Sequence, residues 1–151
     1  MKGTAMLTYA EMQAKKLEDK AQLQEDVNSN PTSKALMGQL VMKLFDARTS
    51  THVQHLQTES FAAHSALGGF YDGIVGLADG IVESWQGCYG EILQYPNPSA
   101  IQTDPLSTLT ELRSWIEANR YLACDESEIQ NEIDAVLNLI NGTVYKLKFL
   151  K

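Results

Sequence analysis

Five side chains in this 151-residue sequence are of the types that hold metal ions, and they fall close together: His52, His55 and His64, then Asp79 and Glu83. The chain contains three histidines in all, so every imidazole lies within thirteen positions. Neutral imidazole and ionised carboxylate together form the ligand mix that suits iron or zinc. Asp79 and Glu83 are one helical turn apart. On a helix they project the same way, as like charges whose repulsion a bound cation relieves. His52 and His55 are neighbours at i,i+3. The plain alternative gives the same residues no chemistry: a histidine on an apolar face is commonly a satisfied core residue, and an i,i+4 acid pair is commonly solvated.

The elements that must position these residues are helices. Thr8 and Glu11 have the capping-box spacing, and a helix with a thin apolar stripe is expected from there to about Val27. The segment from Asn28 to Ser33 interrupts it, which sets residues 1–30 apart as a helical arm and leaves 31–151 as the main domain. Thr32 or Ser33 opens the next helix, where Leu36, Leu40, Val41, Leu44 and Phe45 recur at helical spacing towards Thr58. Ser60 caps a third helix reaching about Tyr89. Asp104 and Pro105 are the N-cap and first residue of a fourth, with Leu106, Leu109, Leu112, Trp115 and Ile116 as its apolar face. Asp125 and Glu128 repeat the capping-box spacing ahead of Ile129, Ile133, Val136, Leu137, Ile140, Val144 and Leu147. No segment alternates with period two. An all-α, up-and-down bundle of four helices with an arm is the expected architecture.

With His64 set at zero on the third helix, Leu67, Tyr71, Ile74, Val75, Ala78, Val82 and Trp85 fall within roughly 80° of it. That places His64 on the expected core stripe. Asp72, Asp79 and Glu83 lie along one flank, and Gly69, Gly73, Gly76 and Gly80 form a strip beyond them. Interior glycines weaken a helix by roughly 1 kcal/mol each relative to Ala. A strip of four is therefore expected to be a close-contact surface for another helix, within the bundle or from a second subunit.

Composition excludes several classes. A net charge of −7 argues against nucleic-acid binding by charge, and the modest cluster Lys146, Lys148 and Lys151 reads as a solvated helix end. No run of residues is apolar enough to span a bilayer, and the N-terminus lacks a signal core. Cys88 and Cys124 stand in unrelated contexts and read as reduced thiols. There is no Ser-His-Asp or Cys-His signature and no phosphate loop.

The spacing of His64, Asp79 and Glu83, with the acids fifteen and nineteen residues after the histidine, resembles that of Dps-like mini-ferritins. The flanking "HLQT" and "ADGIVE" are similar to the surroundings of the mini-ferritin ferroxidase site. The phrases "HLQTESFAAHSALGGFYDG", "ESWQGCYGEI" and "VYKLKFLK" resemble a group of Dps-like proteins encoded by tailed phages. The resemblance implies a ferritin-like four-helix bundle and a homo-oligomer. It also implies an iron or zinc site with Fe(II) oxidation as its activity, in which one subunit gives the histidines and its two-fold mate gives Asp79 and Glu83. It leaves the first ligand open, since His52 keeps the twelve-residue spacing to His64 while His55 better matches the neighbouring sequence. Gly68 stands where the family commonly has a further acid, and the basic tail that some members use on DNA is missing. The competing expectation is a non-catalytic structural protein of a virion or other assembly, packed against other virion proteins. Either role places the chain in a host cytoplasm or a virion.

Overall fold

The computed structural model describes residues 8–18 and 31–151. Among these residues every regular element is a helix: α1 (9–18), α2 (Pro31–Gln57), α3 (Phe61–Tyr89), α4 (Pro105–Ala123) and α5 (Ser127–Phe149). The chain divides into two compact units, Met1–Pro31 and Thr32–Lys151. In the first, the capping box forms as its spacing predicts. Thr8 donates its backbone N–H to Glu11 Oε2 at 2.6 Å, and the Glu11 N–H bonds back to Thr8 Oγ1 at 3.3 Å. The first of these bonds holds the Glu11 carboxyl below its usual range. The expected continuation of this helix to Val27 lies outside the described residues.

In the second unit the caps account for the helix ends. Ser60 accepts from the Ala63 N–H to start α3, and Gly90 ends it in the left-handed region at φ 67°, where a side chain would be strained. Asp104 caps α4 through Ser107, with Pro105 at the first helical position. The capping box expected at Asp125 and Glu128 does not form. Glu126 is the N-cap of α5 and makes no side-chain cap bond, so α5 starts one residue later than that spacing implies.

The directions of the helices follow from contacts at their ends. Ser33 Oγ donates to the Ala123 carbonyl at 2.7 Å, which sets the start of α2 beside the end of α4. Gln54 donates to Thr108 Oγ1 at 3.0 Å near their other ends. Tyr89 Oη and Cys124 Sγ lie 3.4 Å apart, so α3 and α4 finish together and run the same way. A simple up-and-down order is therefore corrected: α2 and α5 point one way, α3 and α4 the other.

The connection 90–104 makes this order possible. It travels back along α2 as an extended strap. Glu91 pairs with Lys34, Asp46 Oδ2 accepts from the Ser99 N–H at 3.1 Å, and Ser50 Oγ accepts from the Gln102 N–H at 3.1 Å. The strap approaches so closely at Gly38 that a Cβ there would overlap the Gln94 carbonyl oxygen. Only glycine lets the two backbones meet.

Leu40, Val41 and Leu44 of α2, Phe70, Ile74 and Trp85 of α3, Leu109 and Ile116 of α4, and Ile129, Ile133 and Ile140 of α5 are all buried and form the core. Burying each such side chain stabilises the fold by about 1.5–3 kcal/mol. Arg120 fastens α4 to α5, giving Nε–H to Gln130 Oε1 at 2.5 Å and Nη2–H to Asp134 at 2.6 Å and to the Gln130 carbonyl at 3.0 Å.

Candidate functional site

The histidines converge on the turn between α2 and α3. The α2 helix ends at Gln57, which leaves the carbonyl of His55 without a partner from its own helix. His64 supplies one, its Nδ1 lying 3.0 Å from the His55 carbonyl oxygen. His55 returns the bond, with Nδ1 2.7 Å from the His64 carbonyl oxygen. The two rings stack with centroids 3.6 Å apart and planes 24° from parallel. A carbonyl oxygen only accepts, so both Nδ1 atoms carry protons, and in the neutral rings the lone pairs sit on Nε2. His52 stacks on Tyr71 at 4.1 Å, with its ring 6.2 Å from that of His55.

His64 is exposed and not on the core stripe, while His52 and His55 are half-buried. Phe70 and Ile81 are buried where Val75 and Val82 were expected, and Val75 is exposed. The buried arc of α3 is centred roughly 80° to one side of His64, which leaves that histidine at the arc's edge.

Asp79 and Glu83 are both exposed on α3 and have no ion-pair partner among the described residues. They are not beside the histidines of their own chain. At 1.5 Å of rise per residue, Asp79 is about 22 Å along the helix from His64, and Glu83 about 28 Å. Among the described residues no three His, Cys, Asp or Glu side chains gather into a group that could hold a metal ion. A single copy thus offers imidazoles in one place and carboxylates in another.

The stack also limits what the imidazoles can do. A metal ion bound to Nε2 lies in the ring plane, about 2.0–2.1 Å from the nitrogen. Between two nearly parallel rings at this separation, an ion shared by both would sit about 1.8 Å out of each plane at that bond length. In this arrangement, therefore, His55 and His64 do not chelate one ion together.

Sequence reasoning missed the part played by Gly68. A Cβ there would meet His55 Cε1 at 3.3 Å and Nδ1 at 3.4 Å, so the missing side chain makes room for the ring. The signal was present as a glycine one turn after His64. The glycine strip divides in two: Gly73 faces Leu139 and Gly80 faces Glu132 of α5, whereas a Cβ at Gly69 or Gly76 would meet nothing among the described residues. At the first pair α5 comes close through side-chain ends, not through its backbone, which is not the close backbone approach expected of the strip.

Residues 55–147 match the model of a family described as Family of unknown function (DUF5856), and the chain belongs to that family. No curated protein and no solved structure matches it.

Proposed function

We propose that this member of the DUF5856 family is a ferritin-like four-helix bundle protein that binds iron or zinc between two copies of itself and oxidises Fe(II) there. The reading is carried by the reciprocal bonds of His55 and His64. Each ring donates Nδ1–H to a backbone carbonyl, the outer bond that orients histidine ligands in metal sites and leaves Nε2 free. The order of helix directions supports the ferritin-like bundle, since such folds have one long crossover connection.

In this reading His64 of one copy meets Asp79 and Glu83 of another. Because the stack keeps His55 and His64 from sharing one ion, His52 takes the role of first ligand beside His64, and His55 orients His64. Bound iron would supply the redox chemistry, and the protein would supply the ligands. A structural, non-catalytic role in a virion or other assembly is the second reading. It is favoured by the same stack, which ties the end of α2 to the start of α3 without any metal.

Anaerobic titration with Fe(II) and with Zn(II) tests the proposal, followed by admission of air to the iron-loaded protein. The Asp79→Ala/Glu83→Ala double variant should lose most of the binding, as should His64→Ala. Equal binding by the unmodified protein and the double variant would exclude the site. Mixing the His64→Ala and Asp79→Ala chains should restore about a quarter of the sites by random pairing, because half the pairs are mixed and each holds one intact site of two.

A further inference from the structure

A cavity of about 250 Å³ lies between α2, the strap and α4. Both helices line it with charged and aromatic groups about one turn apart: Lys43 and Asp46 from α2, Glu111 and Trp115 from α4. Because these two helices run in opposite directions, the groups are arranged as rungs. At one rung Lys43 Nζ stands over the Trp115 ring, 5.1 Å from its centroid. Asp46 lies about 4.5 Å further along α2, and Glu111 about 6 Å along α4 in the same sense, so the two acids fall together at the next rung. Each carboxylate is anchored by one oxygen. Asp46 Oδ2 accepts from the Ser99 N–H at 3.1 Å, and Glu111 Oε1 accepts from the Ser107 hydroxyl at 2.6 Å. Lys43 pairs with no carboxylate among the described residues and rests on the aromatic face instead. The cavity therefore has a positive end and a negative one, held apart.

We infer that this cavity binds a free aliphatic α-amino acid. The argument for that ligand is the separation of charge. A neutral molecule leaves both ends unanswered, an anion is repelled by the two acids, and a cation is repelled by Lys43. A zwitterion complements both ends. Its carboxylate accepts from the Lys43 ammonium, and its own ammonium donates to Asp46 Oδ1 and Glu111 Oε2, the oxygens that the strap and α4 leave unused. One carbon joins the two charged groups of an α-amino acid, which suits rungs a single helical turn apart. Ala47 and Leu112 are buried in the same wall and give the ligand's side chain an apolar bed. The cavity is smaller than the roughly 300 Å³ at which drug-sized sites begin, which limits that side chain to a compact one. The inference does not depend on the metal reading, since none of the five candidate metal ligands lines the cavity.

The test is calorimetric titration of the full chain, with chelator present, using alanine, valine and leucine as free L-amino acids, and ligand-observed NMR as a second readout. At least one of the three should bind with a dissociation constant below about 1 mM. The N-acetyl derivative of that amino acid lacks the ammonium, and its amide lacks the carboxylate. Each should bind the unmodified protein about tenfold more weakly or worse, the loss expected when a hydrogen bond to a charged group is removed. The free amino acid should lose as much on Lys43→Met and on Asp46→Asn/Glu111→Gln. The amide side chains keep an acceptor for the Ser99 N–H and the Ser107 hydroxyl, and circular dichroism checks that each variant keeps its helices. The blocked derivatives are measured on the unmodified protein, so their result stands whether or not a variant folds. No binding of any of the three up to about 10 mM overturns the inference. So does equal binding of either blocked derivative, or an affinity unchanged by Lys43→Met.

Discussion

His55 and His64 each hold the backbone carbonyl of the other, so that two side chains and two main-chain groups close one ring of contacts across the turn between α2 and α3. Each bond is accepted by a backbone carbonyl, so it outlasts the loss of the other ring, and the two rings are coupled through their stacking contact. Replacing either residue by Ala should therefore cost about 0.5–1.5 kcal/mol in urea unfolding. The double variant should lose less than the sum, because each single substitution already removes the shared stacking contact. Strict additivity would show that the two rings act independently.

Two glycines should respond in opposite directions to the same change. Gly38→Ala sets a methyl group against the Gln94 carbonyl, a backbone atom of the strap, and should destabilise the protein by about 1–3 kcal/mol. Gly76→Ala meets nothing among the described residues and should gain up to about 1 kcal/mol from helix propensity. Thermal unfolding of both variants decides it. A fall in stability on Gly76→Ala that depends on protein concentration would reveal a neighbouring subunit at that face.

Arg120 is buried while its partner Asp134 lies open to solvent. Arg120→Met should cost about 2–3 kcal/mol, since Gln130 loses two donors in a dry place. Asp134→Asn should cost less, because solvent already screens the exposed carboxylate. Equal losses in chemical denaturation would contradict this ranking.

Burial pushes the phenol of Tyr89 and the thiol of Cys124 above their ordinary values of 10.0 and 9.0. Both groups lose a proton more readily when unfolded. Their contribution to stability is therefore complete below about pH 9 and declines as pH rises beyond it. Melting temperatures should hold steady from neutral pH to about 9 and then fall. Tyr89→Phe should flatten part of that decline, and an unchanged slope would dismiss the pair as its source.

Metal affinity, where it exists, should move with pH in the other sense. Neutral imidazole is the ligating form, so binding of Zn(II) should weaken as pH drops through about 6, where histidine ordinarily takes up a proton. Binding that stays constant from pH 7 to 5 would assign the ion to carboxylates alone.

Sequence alone located α3 and α4 closely because their ends are written in local chemistry, Ser60 for one and the Asp104–Pro105 pair for the other. It failed at the start of α5, where the right spacing of Asp125 and Glu128 was present but the backbone made its cap elsewhere. The site was legible as a set of residue types and not as a place. Periodicity alone cannot locate the centre of a buried arc, and taking His64 as the origin rotated the expected face onto Val75 and Val82. The His55–His64 bond was hidden for a different reason: it depends on a turn that brings the end of one helix over the start of the next, and no helical wheel contains a turn. Helix directions were likewise set by what the strap does at Gly38, Asp46 and Ser50, which spacing does not encode.

That strap also gives the chain a seam. On either side of it lie two helix pairs, α2 with α3 and α4 with α5, and the most extensive helix packing, α3 against α5, joins one pair to the other. That packing is long-range in sequence, so it forms at a greater entropic cost than the local turns. Residues 94–100 are exposed along the strap and offer a protease its opening. A cut there would leave two fragments with complementary apolar faces, so the nicked protein should run as an intact particle in its native state and as two pieces only after denaturation. Expressed separately and mixed, the two helix pairs should find each other: the information that unites them lies in the matched faces of α3 and α5, and the peptide link between them supplies proximity.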